Sequence, residues 1–318
     1  MTEPLTKSAT WTNPVYDGYL ADPFVFRHAG VYYAVGTGPL PFELSGFEFP
    51  ILRSVDHLNW EPLGGALLRT REAGPHHWAP EVAYRDGVFY MYYSVGVSDE
   101  RHELRVATSD RPQGPYTESC CPVLDPSTAS FAIDPSPFQD ADGRWYLYYA
   151  RDFLDSQDGF RPGTGLVVAP LLDMVRIEPA FQVVMRARHD WQMYQAQRSI
   201  YGGVYDWHTL EGACVRQHGG RYYCIYSGGN WQNDSYGMDF VVADSPLGPW
   251  EDSNDGVAAR VLRSIPGRLI GPGHNSITED LSGRPLLAYH AWNAARTARQ
   301  LNLSPLSWTA DGPRVLSP

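Results

Sequence analysis

Cysteine is scarce, basic charge is outnumbered, and neither a long apolar run nor a convincing amphipathic helix is present. Four cysteines in 318 residues are too few and too badly placed for a disulfide framework. Cys120 and Cys121 are adjacent, which disfavours a bond between them, while Cys214 and Cys224 are placed to face one another across a hairpin. No pair has the C-x-x-C spacing of a zinc site, so buried, apolar thiols are expected. With 25 Lys and Arg against 36 Asp and Glu, the formal charge of -11 excludes a phosphate-neutralising nucleic-acid binder and suits a neutral ligand. The start, Met1-Thr2-Glu3-Pro4-Leu5-Thr6-Lys7, lacks the charged-then-apolar run of a secretory signal, and no stretch reaches the roughly 20 apolar residues of a bilayer span. A soluble, cytoplasmic protein without a membrane partner is expected. No low-complexity or Pro/Gly/Ser-rich run divides the chain, so residues 1–318 are read as a single domain.

Aromatic residues are plentiful at 13%, with 20 Tyr and 10 Trp, and they recur in one repeated phrase. Asp22-Pro23-Phe24-Val25 leads through Ala29-Gly30 into Val31-Tyr32-Tyr33. Pro80-Glu81-Val82 leads through Asp86-Gly87 into an aromatic run, as do Asp134-Pro135-Ser136 through Asp142-Gly143 and Glu211-Gly212-Ala213 through Gly219-Gly220. His274-Asn275-Ser276 leads through Ser282-Gly283 into Leu286-Leu287-Ala288-Tyr289-His290. These are five hairpins, four opening on an acid and one on a histidine. A third strand follows, and in two units a Gly-Pro-aromatic turn leads to a fourth: Gly114-Pro115-Tyr116 and Gly248-Pro249-Trp250.

The turn glycines Gly30, Gly87, Gly143, Gly220 and Gly283 are separated by 57, 56, 77 and 63 residues. Four short strands repeated five times predict an all-β, five-bladed β-propeller with four antiparallel strands per blade. The longest interval locates an insertion, about residues 177–208, read as a loop over the mouth of the channel. Innermost strands line that channel, so Asp22, Glu81, Asp134, Glu211 and His274 are expected at equivalent starts around one mouth. Carboxylates crowded together repel unless hydrogen bonds, a cation or catalysis compensates. Two carboxyl groups across a sugar-sized gap, one protonated and one ionised, are the requirement of glycoside hydrolysis.

Asn13-Pro14 with Ala21-Asp22-Pro23, then His77-Trp78-Ala79-Pro80-Glu81, Ile133-Asp134-Pro135, Glu211-Gly212 and Gly273-His274-Asn275 together resemble the family 43 glycoside hydrolases. The likeness covers nearly the whole chain; its specificity lies in the order of the motifs, each being weak alone. It implies a five-bladed propeller that cleaves arabinose- and xylose-containing glycans with inversion. Asp22 would be the general base, Glu211 the general acid, and Asp134 a third acid that orients Glu211 and keeps its pKa raised. His274 would sit on the channel axis beside a water-ligated calcium or sodium ion, an ion of structural or electrostatic rather than hydrolytic role; a neutral, hydrogen-bonded histidine is the alternative. No organic cofactor is implied. Glu81 is expected in an ion pair with a neighbouring Arg.

Substrate-binding candidates are Trp78 as a sugar platform, with His77 and Phe131 beside it, and Arg198 and Tyr201 from the insertion. One of Arg296 and Arg299 is expected against sugar or base. The expected partner is an oligosaccharide or polysaccharide, and the expected activity an exo-acting α-L-arabinofuranosidase. β-Xylosidase, endo-arabinanase and galactan-active enzymes of the same fold stay open, as does a non-catalytic sugar-binding propeller.

Overall fold

A computed structural model describes residues 12–69, 74–118, 122–315 and 318. Blade one consists of β1 (Ala21–His28), β2 (Val31–Thr37), β3 (Phe47–Ser54) and β4 (Glu61–Leu68). Blade two is β5 (His76–Arg85), β6 (Val88–Ser98), β7 (Arg101–Ser109) and β8 (Thr117–Glu118). Blade three is β9 (Ala132–Gln139), β10 (Trp145–Phe153), β11 (Gly163–Leu171) and β12 (Gln182–Met185). A further strand, β13 (Met193–Ile200), precedes blade four: β14 (Gly203–His218), β15 (Arg221–Gly228), β16 (Gly237–Ala243) and β17 (Leu262–Arg263). Blade five is β18 (Ile270–Glu279), β19 (Pro285–Trp292), β20 (Arg299–Thr309) and β21 (Gly312–Val315). The chain is thus the five-bladed, four-stranded propeller that the repeat predicts. Among the described residues no helix is long and apolar enough to cross a membrane.

Side-chain alternation explains why the strands look apolar throughout instead of half polar. Along β10, Tyr146 and Tyr148 pack toward blade four with Ala213, Val215 and Tyr222, while Leu147 and Tyr149 turn to blade two with Tyr92 and Val106. Both faces of a blade are therefore buried, and the period of 2 sorts each residue to one junction or the other. The buried apolar side chains described form five clusters, one at each blade junction. The last joins Leu20, Val25 and Tyr32 of the first blade region to Ala288, Leu301 and Leu303 of the fifth. The lead-in strengthens that closure. Val15 N–H donates to the Leu301 carbonyl at 2.9 Å and Asn13 Nδ2 to that of Leu303 at 3.0 Å, so the segment before the first hairpin does complete a sheet elsewhere.

The long interval before blade four divides in two. Gln182–Met185 is blade three's own fourth strand, not a loop. The true insertion is a hairpin of β13 with the first half of β14, turned at Tyr201-Gly202, both with positive φ. Arg198 in it pairs with Asp99 at 2.6 Å, and the Tyr201 backbone N–H donates to Glu100 Oε1 at 3.1 Å, which ties the hairpin to the β6–β7 turn of blade two. Cys214 and Cys224 are buried free thiols. Cys120 and Cys121 lie outside the described residues.

Candidate active site

Every innermost strand breaks its register. The shifts fall between Ala21 and Phe24, Trp78 and Glu81, Glu211 and Cys214, and Gly273 and Ser276; in blade three Ile133 and Ser136 flank the break. Each break holds one residue in the left-handed region: Asp22 (φ 49), Ala79 (φ 49), Asp134 (φ 56), Gly212 (φ 60) and His274 (φ 49). A bulge re-aims the side chain beside it, and non-glycine residues at positive φ are uncommon enough that their recurrence marks a designed feature. These five are the true equivalents. Glu211 stands one residue before its bulge and Glu81 two after, which corrects the expectation that all four acids and His274 occupy the same step. Blade four alone puts glycine there, and a Cβ at Gly212 would sit 3.2 Å from the His274 ring, a tight contact that glycine avoids. The bulge position there goes to glycine, and the acid moves back one residue.

Asp22 is flanked by one arginine and two histidines. Arg299 Nη1 donates to its Oδ1 at 3.2 Å, and the Nδ1 atoms of His274 and His290 lie 3.5 and 3.4 Å from the same oxygen. Its backbone N–H donates to His290 Nδ1 at 3.0 Å, which leaves that ring's proton on Nε2. Burial pushes the Asp22 carboxyl up, but the Arg299 charge, then the two histidines and a hydrogen bond from Thr37, outweigh it and hold the pKa at about 2. Arg299 is itself clamped, with its guanidinium 4.4 Å from the Trp231 ring centre and 5.9 Å from that of Trp292.

Glu211 has the opposite surroundings. Its Oε1 accepts from Tyr236 Oη at 2.6 Å, and burial, with the Asp22 charge, raises its pKa to about 7 against the pull of Tyr236 and Arg299. Tyr236 can reach it because residue 273 is glycine, where a Cβ would fall 1.9 Å from the tyrosine ring. Asp134 Oδ2 accepts the Gly212 N–H at 3.0 Å and stands 3.8 Å from His274 Nδ1. Burial, then the charges of Glu211 and Asp22, push it well above the carboxylate range. Three carboxyls thus meet with one firmly ionised and two competing for a proton, and Asp134 grips the backbone next to Glu211.

Of the binding candidates, Trp78, Phe131 and Arg198 line a cavity beside Glu211. Trp78 is stacked on His102 with ring centres 3.9 Å apart. Tyr201 reaches the same region through its hydroxyl, which donates to Asp152 at 2.6 Å. Of the two blade-five arginines, Arg299 is the one at the acids. Arg296 is half exposed, paired with Asp234, and touches none of them. His77 is also misplaced by sequence reasoning: it is buried between blades one and two against Phe49 and Tyr93, where burial lowers its pKa to about 4. Among the described residues Glu81 has no salt-bridge partner. It is bonded to Ser136, and burial lifts it to about 8, while Arg216 acts on it only through charge and spends its own donor on the Ile277 carbonyl. Residues after the bulges of all five innermost strands, Glu81 among them, line the far end of the channel.

Sequence reasoning missed His290, Tyr236, Thr37 and Trp231. His290 carried a faint signal as a histidine ending an apolar strand; the others lie at strand ends or in loops without any pattern. For a metal, the axis offers His274, kept neutral chiefly by burial. Among the described residues no group of three or more His, Cys, Asp or Glu is arranged to hold an ion. A hard cation prefers oxygen ligands, so an ion beside His274 would draw them chiefly from water.

A propeller whose channel mouth presents an ionised carboxylate, a protonated one and a third acid beneath them has the equipment of a glycoside hydrolase. The sequence profile of Glycosyl hydrolases family 43 matches residues 11–313, and the chain belongs to that family, whose enzymes hydrolyse O-glycosidic bonds with inversion. It is 26% identical over 265 residues to a "Xylosidase/arabinosidase" of Bacteroides ovatus, covering 78% of this chain and 76% of that one. It is 26% identical over 345 residues to an "Extracellular exo-alpha-(1->5)-L-arabinofuranosidase" of Streptomyces avermitilis, covering 98% of this chain and 64% of the relative. Among solved structures it matches a thermostable family-43 glycoside hydrolase with a TM-score of 0.81 and 27% identity, over 97% of this chain and 96% of the other.

Proposed function

We propose that the chain is an exo-acting α-L-arabinofuranosidase in which Asp22 is the general base and Glu211 the general acid. The observation that carries the roles is the contrast in proton affinity. Asp22, beside Arg299, is ionised at any ordinary pH and can take a proton from water; Glu211, near pKa 7, keeps one to give to the departing oxygen. In an inverting displacement, water attacks the anomeric carbon as Asp22 removes its proton, and the C–O bond breaks as Glu211 protonates the leaving oxygen. Asp134 and Tyr236 position the Glu211 segment and carboxyl. The arabinose assignment is supported by relatives such as the exo-alpha-(1->5)-L-arabinofuranosidase, and exo action by the inserted hairpin, whose Arg198 and Trp207 wall the cavity beside Glu211 together with Trp231, itself stacked on Trp292 with ring centres 6.2 Å apart.

The experiment is a panel of 4-nitrophenyl α-L-arabinofuranoside, β-D-xylopyranoside and β-D-galactofuranoside beside linear and branched arabinan, with products resolved by length. Release of arabinose alone is expected. A ladder of arabino-oligosaccharides would make it an endo-arabinanase, preference for xyloside a xylosidase, and no release from any a sugar-binding propeller.

A further inference from the structure

The cavity beside Glu211 is asymmetric. Its walls are Trp78, Phe131, Asp152, Arg198, Trp207 and Trp231, and it includes the acid but neither Asp22 nor Asp134. A proton donor stands next to the glycosidic oxygen, whereas the base holds water on the opposite face of the reacting ring. Space that adjoins the acid alone therefore lies on the side of the leaving group. Aromatic rings there are suited to the C–H faces of a sugar.

One acid in that wall has no salt-bridge partner among the described residues. Asp152, in β10, is half-buried with its carboxylate at the cavity. Oδ1 accepts from Thr164 Oγ1 at 3.0 Å and Oδ2 from Tyr201 Oη at 2.6 Å. Among the described residues no cation forms a salt bridge with it: the charges of Arg198 and Arg151 reach it only at longer range, Arg198 being bound to Asp99 and stacked over Tyr194 and Trp207, at 5.1 and 5.5 Å, and Arg151 lying over Phe153 and Phe181, at 5.8 and 4.6 Å. A carboxylate has about four acceptor positions, and the two neutral donors fill two. Removing such a group from water without a directly bonded counter-ion is costly unless further donors complete it. Vicinal hydroxyls of a sugar supply two donors at the spacing of one carboxylate.

We infer that Asp152 is a specificity-determining residue that accepts hydrogen bonds from the hydroxyls of the sugar on the leaving side of the scissile bond. The inference rests on the hydrolase reading above and deepens it. The inserted hairpin then has a purpose: through Tyr201 it fixes one oxygen of Asp152, and through Trp207 and Arg198 it forms a wall of the same subsite.

The test compares two substrates in Asp152→Asn and Tyr201→Phe: an aryl pentoside, whose leaving group has no hydroxyls to read, and the pentose oligosaccharide that the wild type cleaves best. A hydrogen bond to a charged acceptor lost from a bound sugar corresponds to roughly 10- to 100-fold. Asp152→Asn should therefore lower kcat/KM on the oligosaccharide by at least about tenfold more than on the aryl pentoside, mainly through KM. Tyr201→Phe, which keeps the carboxylate, should shift the same ratio in the same direction by less. Equal losses on both substrates in both variants, the result of a mere tether for the hairpin, would overturn the inference. A wild type inactive on every glycoside would instead bring down the hydrolase reading, and this inference with it.

Discussion

Two sides of one mouth bury a carboxyl each and treat it in opposite ways. On the side formed by blades one and five, Asp22 is met by Arg299, His274 and His290 and is held at about 2. On the side formed by blade four, Glu211 meets a neutral tyrosine and an aromatic-walled cavity and is raised to about 7. Burial raises both; the cation decides. A fold that repeats one hairpin five times has thus set two buried carboxyls apart in proton affinity by what it places beside each.

The largest expected effect breaks the comparison outright. Asp22→Ala should lose on the order of 10²- to 10⁴-fold in kcat on a natural glycan, in line with removal of general-base assistance, with the folded state checked by circular dichroism at the assay temperature. Next, Arg299→Met should cost roughly 10²-fold, because it leaves a buried charge without its counter-ion. It should also raise the Asp22 pKa, since burial then acts with less opposition. Activity should accordingly fall as pH drops through the new value, giving an acidic limb where the wild type stays flat down to about pH 3. A flat acidic side in that variant would show that the arginine does not hold Asp22 ionised.

Smaller effects sharpen the acid side. Asp134→Asn should move the alkaline limb of kcat/KM, set by Glu211 near 7, downward by up to about one pH unit, because the two buried carboxyls no longer oppose each other's ionisation. A limb that stays in place would mean that Asp134 itself carries the shared proton. Tyr236→Phe removes a donor that favours ionised Glu211, so the limb should move up, by roughly half a unit, with a kcat loss of a few-fold.

Fold and site differed in how much of them the sequence displayed. Blade number, strand order and the turns were legible because a hairpin closing on Ala29-Gly30, Asp86-Gly87 or Gly219-Gly220 needs positive φ at both central residues, and all three pairs have it. The three acids were legible through their place in the repeat and the family resemblance together. The step of each acid was not: a bulge shifts register by one residue, and nothing in Glu211-Gly212 beside Asp134-Pro135 shows that the glycine, not the glutamate, takes the bulge. Partners that arrive from elsewhere were hidden for the same reason. Tyr236 comes from a loop and matters only because Gly273 leaves room for it. Arg296 and Arg299 sit three residues apart, and only the start of β20 at Arg299 decides which one turns inward. His77 looked like a pocket residue beside Trp78, but alternation along β5 sends neighbours to opposite sides.

The central claim, that Asp22 serves the water and Glu211 the leaving group, is tested most directly by rates of Asp22→Ala and Glu211→Ala on a dinitrophenyl pentoside and on the natural oligosaccharide. A dinitrophenolate departs with little need of a proton, so Glu211→Ala should recover most of its lost activity on it, whereas Asp22→Ala should stay poor on both because water must still be activated. Recovery by Asp22→Ala, with Glu211→Ala equally impaired on the two substrates, would contradict the account and exchange the roles.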